Sequence, residues 1–290
     1  MKLITQRSCV KSKNLINRLR YAQSVFFYTI NMSSQRPTSK LRMQSGRPQL
    51  RVDDIVAIEE PLAIKVNGIH FATLMRTPGR EHDLAAGFLA AEAVIDGVDE
   101  IAAFKKCDTE NTVNVALADG CNFDLSKQRL TTTSSSCGVC GSRSIDELKK
   151  ALDFKSVQLV EDLEVDELLA AMQQMQQQQQ LFAETAATHA VALYSLNSKH
   201  IIDIAEDVGR HNAADKVIGQ QLLAGNYPIS EALVLLLSGR VSFDMIQKAA
   251  CANIGAICAV GMPTSLAIES AQAVGMKLYA WAREDSVCLY

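Results

Sequence analysis

From Ala190 to the C-terminus, short apolar runs alternate with helical patterns, and this alternation constrains the fold more than any other feature of the chain. Ala190 to Leu196 and Ile201 to Ala205 read as a hairpin across Asn197-Ser198-Lys199, followed by a helix over Asn212 to Leu223. Leu233 to Leu237 has no polar interruption, as expected of a strand covered on both faces. It leads through Gly239-Arg240 into a helix with Ser242 as its cap. A strand over Ile254 to Val260, the turn Gly261-Met262-Pro263-Thr264-Ser265, another helix and a last strand over Lys277 to Ala282 complete the series. Such alternation implies right-handed crossovers and a mostly parallel sheet. Residues 144–290 are therefore expected to form an α/β layered domain, within a chain that is α/β, or α+β when taken as a whole.

Before that domain the pattern is strand-rich. Apolar runs over Ile55 to Ile58, Leu62 to Val66 and Ile69 to Met75 flank Asn67-Gly68, the strongest short-range hairpin signal. Glu81-His82-Asp83 opens a helix, with acids in its first turn, that should end near Asp96-Gly97. Val113 to Leu117 and Asn122 to Leu125 read as a second hairpin across Asp119-Gly120. These elements make a smaller N-terminal subdomain over 51–135. A Cys-x-x-Cys loop over 136–143 follows, and then a helix opened by the capping-box pattern Ser144-Ile145-Asp146-Glu147. Val165 to Ala183 reads as one further helix, its Gln176 to Gln180 tract forming a solvated face.

The charge is unevenly spread. Residues 1–52 hold eleven Lys or Arg and no acid, whereas the remainder holds 18 basic and 32 acidic residues, a net charge of −14. Residues 1–50 are expected to be a disordered basic leader, with the composition of a transit peptide or of a nucleic-acid arm. Neither reading is adopted, and no nucleic acid is expected as a partner. No apolar stretch approaches the roughly 20 residues of a membrane-spanning helix, so no membrane partner is expected either. At 290 residues, 48% hydrophobic and 21% charged, the chain can bury a core without covalent staples. Its eight cysteines are mostly isolated in apolar contexts, which suits reduced thiols and a cytoplasmic location.

Three constellations could carry chemistry. In Cys137-Gly138-Val139-Cys140-Gly141, two thiols lie three residues apart in a Gly/Ser loop before a helix, a setting that stabilises a thiolate and admits a bulky partner. A structural zinc site would need two further ligands from His189, His211, Cys107 or Cys121. A thioredoxin-type pair would open its helix directly after a strand, and a zinc deaminase would show a Pro before the first Cys, where Ser136 stands. In the second, the segment Glu206 to Lys216, Arg210 and Lys216 suit a phosphate-rich ligand and Asp207, Asn212 or Asp215 polar recognition, unless the segment is a solvated junction of internal ion pairs. In the third, Ser238-Gly239-Arg240 turns from a buried strand into a helix at the sheet edge where α/β proteins hold anions, and the Thr264 turn is its counterpart one strand later. His189 precedes a strand and could face the same edge.

Taken together, Ser136 to Gly141, Glu206 to Lys216, Ser238-Gly239-Arg240 with Ser242 to Lys248, Pro263 to Ala267 and the Thr77 to Glu92 segment resemble the FdhD family of formate dehydrogenase accessory proteins. The resemblance implies a fold related to cytidine deaminases and a homodimer. It also implies a sulfur carrier. Sulfur arrives from a cysteine desulfurase as a persulfide on Cys137, with Cys140 as its partner. It then passes to the molybdenum of bis(molybdopterin guanine dinucleotide), bound as a substrate with no permanent cofactor and no metal site, before insertion into apo formate dehydrogenase. The alternative is a chaperone that delivers the cofactor without chemistry, its cysteines structural or zinc-binding. Cofactor contacts are expected from His189, Arg210, His211, Lys216, Ser238, Gly239, Arg240 and Thr264, and from Trp281, Ala282, Arg283, Glu284, Asp285 and Ser286. Two departures bear on this: Thr185-Ala186-Ala187 stands where many members have Thr-Gly-Gly, and Ala282 and Glu284 differ from the usual pattern.

Overall fold

The Asn67-Gly68 turn forms as its sequence demands. Both residues take positive φ, 50° and 85°, the pair of left-handed residues that a two-residue hairpin turn of matching twist needs. A computed structural model describes residues 34–105, 110–121, 132–133 and 157–290. In it, β3 (Glu60–Val66) and β4 (Ile69–Arg76) pair across that turn. Asn67 Oδ1 accepts the Leu117 amide at 2.9 Å, tying the turn to β6 (Thr112–Leu117). With β5 (Ile101–Lys105) and the two-residue β7 (Thr132–Thr133), these strands form a sheet in the order β5-β6-β3-β4-β7. Both edges of β6 are occupied, by β5 and β3. Residues 122–125, the Cys-x-x-Cys loop and the helix expected from Ser144 lie outside the described residues.

The second sheet holds β8 (His189–Ser195), β9 (His200–Asp207), β10 (Leu233–Leu237), β11 (Ala256–Ala259), β12 (Lys277–Arg283) and β13 (Ser286–Leu289), in the order β13-β12-β11-β10-β8-β9. The expectation of a mostly parallel sheet needs correction, because only β10 with β11 and β11 with β12 are parallel. The hairpin β8–β9 docks on β10 through β8, which must then run against both neighbours.

Between the sheets lie α1 (Glu81–Ala91) and α4 (Arg210–Leu223). Both are buried almost all round, which marks a helix with packing partners on every side. On its far side α1 packs against the first sheet through Leu84, Phe88 and Leu89, and α4 packs against the second through Ala213, Val217 and Ile218. The two helices meet backbone to backbone. A Cβ at Gly87 would lie 2.0 Å from the Asp215 carbonyl oxygen, and one at Gly219 would lie 1.8 Å from that of Asp83. Helix α5 (Phe243–Cys251) packs beside α4, and α6 (Ser265–Val274) beside α5, on the same face of the second sheet. Helix α2 (Val165–Gln177) covers the opposite face through Leu168, Met172 and Met175.

Three expected boundaries shift. Helix α1 stops at Ala91, short of Asp96, because the chain turns at Ala93 with φ 54°. The single helix over Val165 to Ala183 breaks inside the glutamine tract into α2 and α3 (Gln180–Thr185). The cause is the Glu206 carboxylate, which takes the Leu181 and Phe182 amides at 2.8 and 2.7 Å and so starts a new helix there. The disordered leader expected over 1–50 is too long, since β1 (Gln35–Arg42) pairs with β2 (Leu50–Ala57) along its whole length.

The crossing of α1 and α4 generates a prediction. Gly219→Ala forces a methyl group into backbone, an overpacking that costs about 3 kcal/mol. The urea midpoint should fall accordingly, and an unchanged midpoint would contradict the close crossing.

Candidate functional site

Strands β9 to β12 run in one direction and β8 in the other, so the carboxyl ends of four strands and the first residue of β8 share one edge of the sheet. Three strand-to-helix turns open there, as the sequence pattern predicted: 208–209 before α4, 238–242 before α5 and 260–264 before α6. The last two are zipped together. Thr264 N donates to the Val241 carbonyl at 3.0 Å, and Gly261 N to that of Gly239 at 3.2 Å. A Cβ at Gly261 would sit 2.7 Å from Arg240 N, so glycine is needed for this approach.

The first turn is set by a single buried carboxylate. Asp207 is fully buried. Its Oδ1 accepts from Gly209 N and Asn212 Nδ2, both at 2.9 Å. Its Oδ2 accepts from Lys216 Nζ at 2.7 Å and from Thr77 N at 3.1 Å. Lys216 Nζ also donates to the Thr77 carbonyl at 2.9 Å, Asn212 Nδ2 to that of Met75 at 2.7 Å, and Val208 N to Thr77 Oγ1 at 3.1 Å. The end of β4 is thereby pinned to the start of α4. Lys216, expected to contact ligand, is thus an interior residue whose ammonium is held by Asp207 and Thr77, and the polar side chains of this segment divide between structure and site.

What faces the edge is cationic. A Cβ on Gly239 would lie 3.4 Å from His189 Nδ1 and 3.9 Å from Arg210 Cδ, so these three residues converge. Burial, and then the Arg210 charge, hold the His189 pKa below the ordinary histidine value of 6.5. Burial and the neighbouring Arg240 depress that of Arg210 as well, although a guanidinium stays protonated. His211 is buried beside them. Its Nε2 lies 3.6 Å from Asp244 Oδ2, too far for a hydrogen bond. Asp244 feels burial most strongly, yet His211 and Lys248 together outweigh it and keep the carboxyl below its usual range. Arg210 Nε and His211 Nε2 are both buried without a hydrogen-bond partner. Buried polar atoms left unpaired in a cationic corner, at the start of a helix, are the donors an anion would satisfy.

Beside this corner opens a cleft of about 1060 Å³. His189 and Ser238 line it together with Ala282 and Arg283 from the end of β12 and Glu284 from the turn after it. Its other wall is α2 and α3, including Met172, Gln179 and Phe182, which the sequence reading missed because their helical spacing signals only packing. The missed Glu206 positions that wall through α3. Ala186, also on the wall, takes φ 52°, a left-handed conformation that costs a residue with a Cβ. Trp281 stands outside the cleft with the Arg283 guanidinium 3.9 Å above its ring. Glu284 and Asp285 form the β12–β13 turn, and Ser286 pairs with Arg283 across it. Thr264 caps α6 by accepting the Ala267 amide at 3.3 Å. Cys137 and Cys140 lie outside the described residues. Among the described residues, no three His, Cys, Asp or Glu are grouped to hold a metal ion.

Fold and site thus define an α/β protein, built on two main sheets, with an anion-receptive corner and an adjoining cleft at one sheet edge. The sequence pattern of the FdhD/NarQ family matches residues 57–290, and the chain belongs to that family. It is 39% identical to the sulfur carrier protein FdhD of Streptomyces avermitilis, over 86% of this chain and 91% of that one. It is 38% identical to that of Mycobacterium tuberculosis, over 87% and 95%. A crystal structure from Desulfotalea psychrophila, assigned as a formate dehydrogenase accessory protein, shares the fold with a TM-score of 0.68 and 23% identity, over 88% of this chain and 96% of that one.

The electrostatics of the corner can be read directly. A histidine whose pKa is lowered by folding contributes stability that is complete above pH 6.5 and is lost as the pH falls below that value. His189 should therefore titrate below 6.5 by NMR in the protein alone, and saturating phosphate, by adding negative charge beside it, should raise that value. Titration at or above 6.5 without anion would contradict the burial of this ring among cations.

Proposed function

We propose that this chain is a sulfur carrier acting for formate dehydrogenase, with the cationic corner and the cleft receiving the cargo. The observation that supports this most is the convergence of His189, Arg210, His211 and Arg240 on one edge, with two buried donors unpaired. Membership of a family whose relatives are named sulfur carriers supports the carrier role.

Chemically, the Cys137 thiolate attacks the outer sulfur of a persulfide on a cysteine desulfurase. The new S–S bond forms as the donor's own S–S bond breaks and its cysteine leaves as thiolate, with no net oxidation. In the onward step Cys140 attacks Cys137 Sγ and the outer sulfur departs as sulfide to its acceptor. The resulting Cys137–Cys140 disulfide then needs two electrons from a dithiol reductant before the next cycle. The acceptor proposed is the molybdenum of bis(molybdopterin guanine dinucleotide), bound as substrate. Its diphosphate groups suit Arg210 and Arg240, and a guanine base suits the cleft, where Met172, Phe182 and Arg283 offer apolar and π-stacking surface. The protein would work in the cytoplasm as a homodimer and hand the cofactor to apo formate dehydrogenase.

The test separates binding from transfer. Guanosine diphosphate, used as a probe of the nucleotide part, should bind in calorimetry, and Arg240→Ala should weaken it by about ten- to a hundredfold, the loss of one charge-assisted contact. Cys137→Ala should bind the probe as the parent does and yet fail to restore formate dehydrogenase activity to cells lacking the protein. Nucleotide affinity unaffected by Arg240→Ala would overturn the assignment of the corner. Restored activity with Cys137→Ala would overturn the carrier chemistry and favour a cofactor chaperone.

A further inference from the structure

The β1–β2 ribbon stands in solvent for most of its length. Every residue from Arg36 to Arg51 is exposed. Its base is held: the Ile58 amide donates to the Ser34 carbonyl and the Ser34 hydroxyl to that of Pro78, both at 2.9 Å, and β2 packs against α3. At about 3.3 Å per residue the eight pairs span roughly 26 Å. A two-stranded ribbon alone in water is marginal at best, and this one is nevertheless apolar at its free end, where Leu41 and Leu50 are exposed and Met43 is 70% exposed. The loop that carries Met43 is closed on itself. The Arg47 amide donates to the Gln44 carbonyl at 3.1 Å, and Gln49 Nε2 to Met43 Sδ at 3.3 Å.

Around this apolar tip the charge is of one sign. Arg36, Lys40, Arg42, Arg47 and Arg51 all precede Asp53, the first acid of the chain. Lys40 pairs with Asp54 at 2.8 Å, whereas Arg47 and Arg51 contact only the neutral groups of Gln44 and Ser39. The register sets Leu41 opposite Arg51 and Leu50 opposite Arg42, so the two leucines lie on opposite faces of the ribbon, each beside an arginine. A flat seat against one face would take a single leucine. A medium entered end on takes both, and Met43 with them. No aromatic side chain stands anywhere in 34–57, so the stacking that holds a single-stranded nucleic acid is missing.

We propose that the tip of the β1–β2 ribbon docks end on with an anionic lipid surface, Leu41, Met43 and Leu50 entering the headgroup boundary while Arg42, Arg47 and Arg51 meet the lipid phosphates. A few apolar side chains or a few cations bind weakly alone, and the two together give reversible attachment. The charge of the rest of the molecule calls for an arm. Beyond residue 52 the chain carries −14, which such a surface repels. Salt screens that repulsion over about 8 Å, and an arm of roughly 26 Å holds the body outside it. Because β2 rests on α3, a wall of the cleft, docking keeps the cleft within an arm's length of the lipid. The expectation of no membrane partner rests on the lack of a spanning helix, which peripheral docking does not need. The inference goes beyond sulfur transfer and does not depend on it.

The test is co-sedimentation of the full chain with vesicles of mixed phosphatidylcholine and phosphatidylglycerol, against vesicles of phosphatidylcholine alone. The parent should sediment with the mixed vesicles, less so as salt rises, and stay in solution with the neutral ones. Arg42→Gln with Arg47→Gln and Arg51→Gln should weaken binding by on the order of a hundredfold, roughly fivefold for each arginine. Leu41→Ser with Met43→Ser and Leu50→Ser keeps every charge and should weaken it by more than about tenfold. Both variants should retain the parent's circular dichroism and melting transition, because these side chains lie outside every core cluster. A parent that ignores the mixed vesicles or binds the neutral ones equally, or an arginine variant that binds as the parent does, overturns the proposal. A serine variant that binds as the parent does overturns the insertion, and polyglutamate bound as tightly as the mixed vesicles would assign the tip to an acidic protein segment instead.

Discussion

The Asp207 carboxylate is the point on which the rest of the arrangement depends. A charge in a protein interior is tolerated only when it is paired and its lone pairs are occupied. Asp207 meets both conditions, with the Lys216 ammonium on one oxygen and amide donors from Thr77, Gly209 and Asn212 completing the set. Because these donors come from the end of β4 and the start of α4, one carboxylate fixes the first sheet against the second and sets the entry angle of the helix that carries Arg210 and His211. Further ion pairs continue the bracing. Arg80 grips Asp203 through both terminal nitrogens at 3.0 and 2.8 Å and Asp83 through Nε at 2.7 Å, while Lys248 meets Asp215 at 2.6 Å on the far side of α4.

Such bracing allows the site to hold like charges together. Arginines 210 and 240 and two histidines gather at one edge, and burial first, then the neighbouring cations, lower the pKa of His189 and of Arg210. Among the described residues, the charges of Asp244 and Asp207 offset part of that cost. The scaffold holds the cations near one another, because the zipped loops around Gly239 and Gly261 and the Asp207 clamp fix the turns from which these side chains extend. An anion entering the corner would therefore meet donors already in place and lose little to reorganisation.

Much of this was legible in the sequence where local chemistry decides it. Asn67-Gly68 dictated its hairpin, Leu233 to Leu237 its buried strand, and the turns at Ser238 and Thr264 their place at a common edge. Less was legible where the outcome depends on a distant partner. Lys216 looked like a ligand-facing cation, and only the fold brings Thr77 and Asp207 to its ammonium. The α2–α3 break lies in a uniform glutamine tract and is set by Glu206, more than twenty residues away. The antiparallel insertion of β8 leaves no periodic trace, because a buried strand reads the same in either direction. Strand β1, within the basic leader, is polar and exposed on almost every residue, so no burial pattern marks it.

The central claim is that sulfur travels on this chain as a cysteine persulfide, and it can be tested directly. The protein is incubated without oxygen with a cysteine desulfurase and cysteine, trapped with an alkylating reagent, and the peptide containing Cys137 and Cys140 is weighed by mass spectrometry. The account predicts one added sulfur on Cys137, absent when the desulfurase is left out. Two unmodified thiols in the presence of active desulfurase would contradict it.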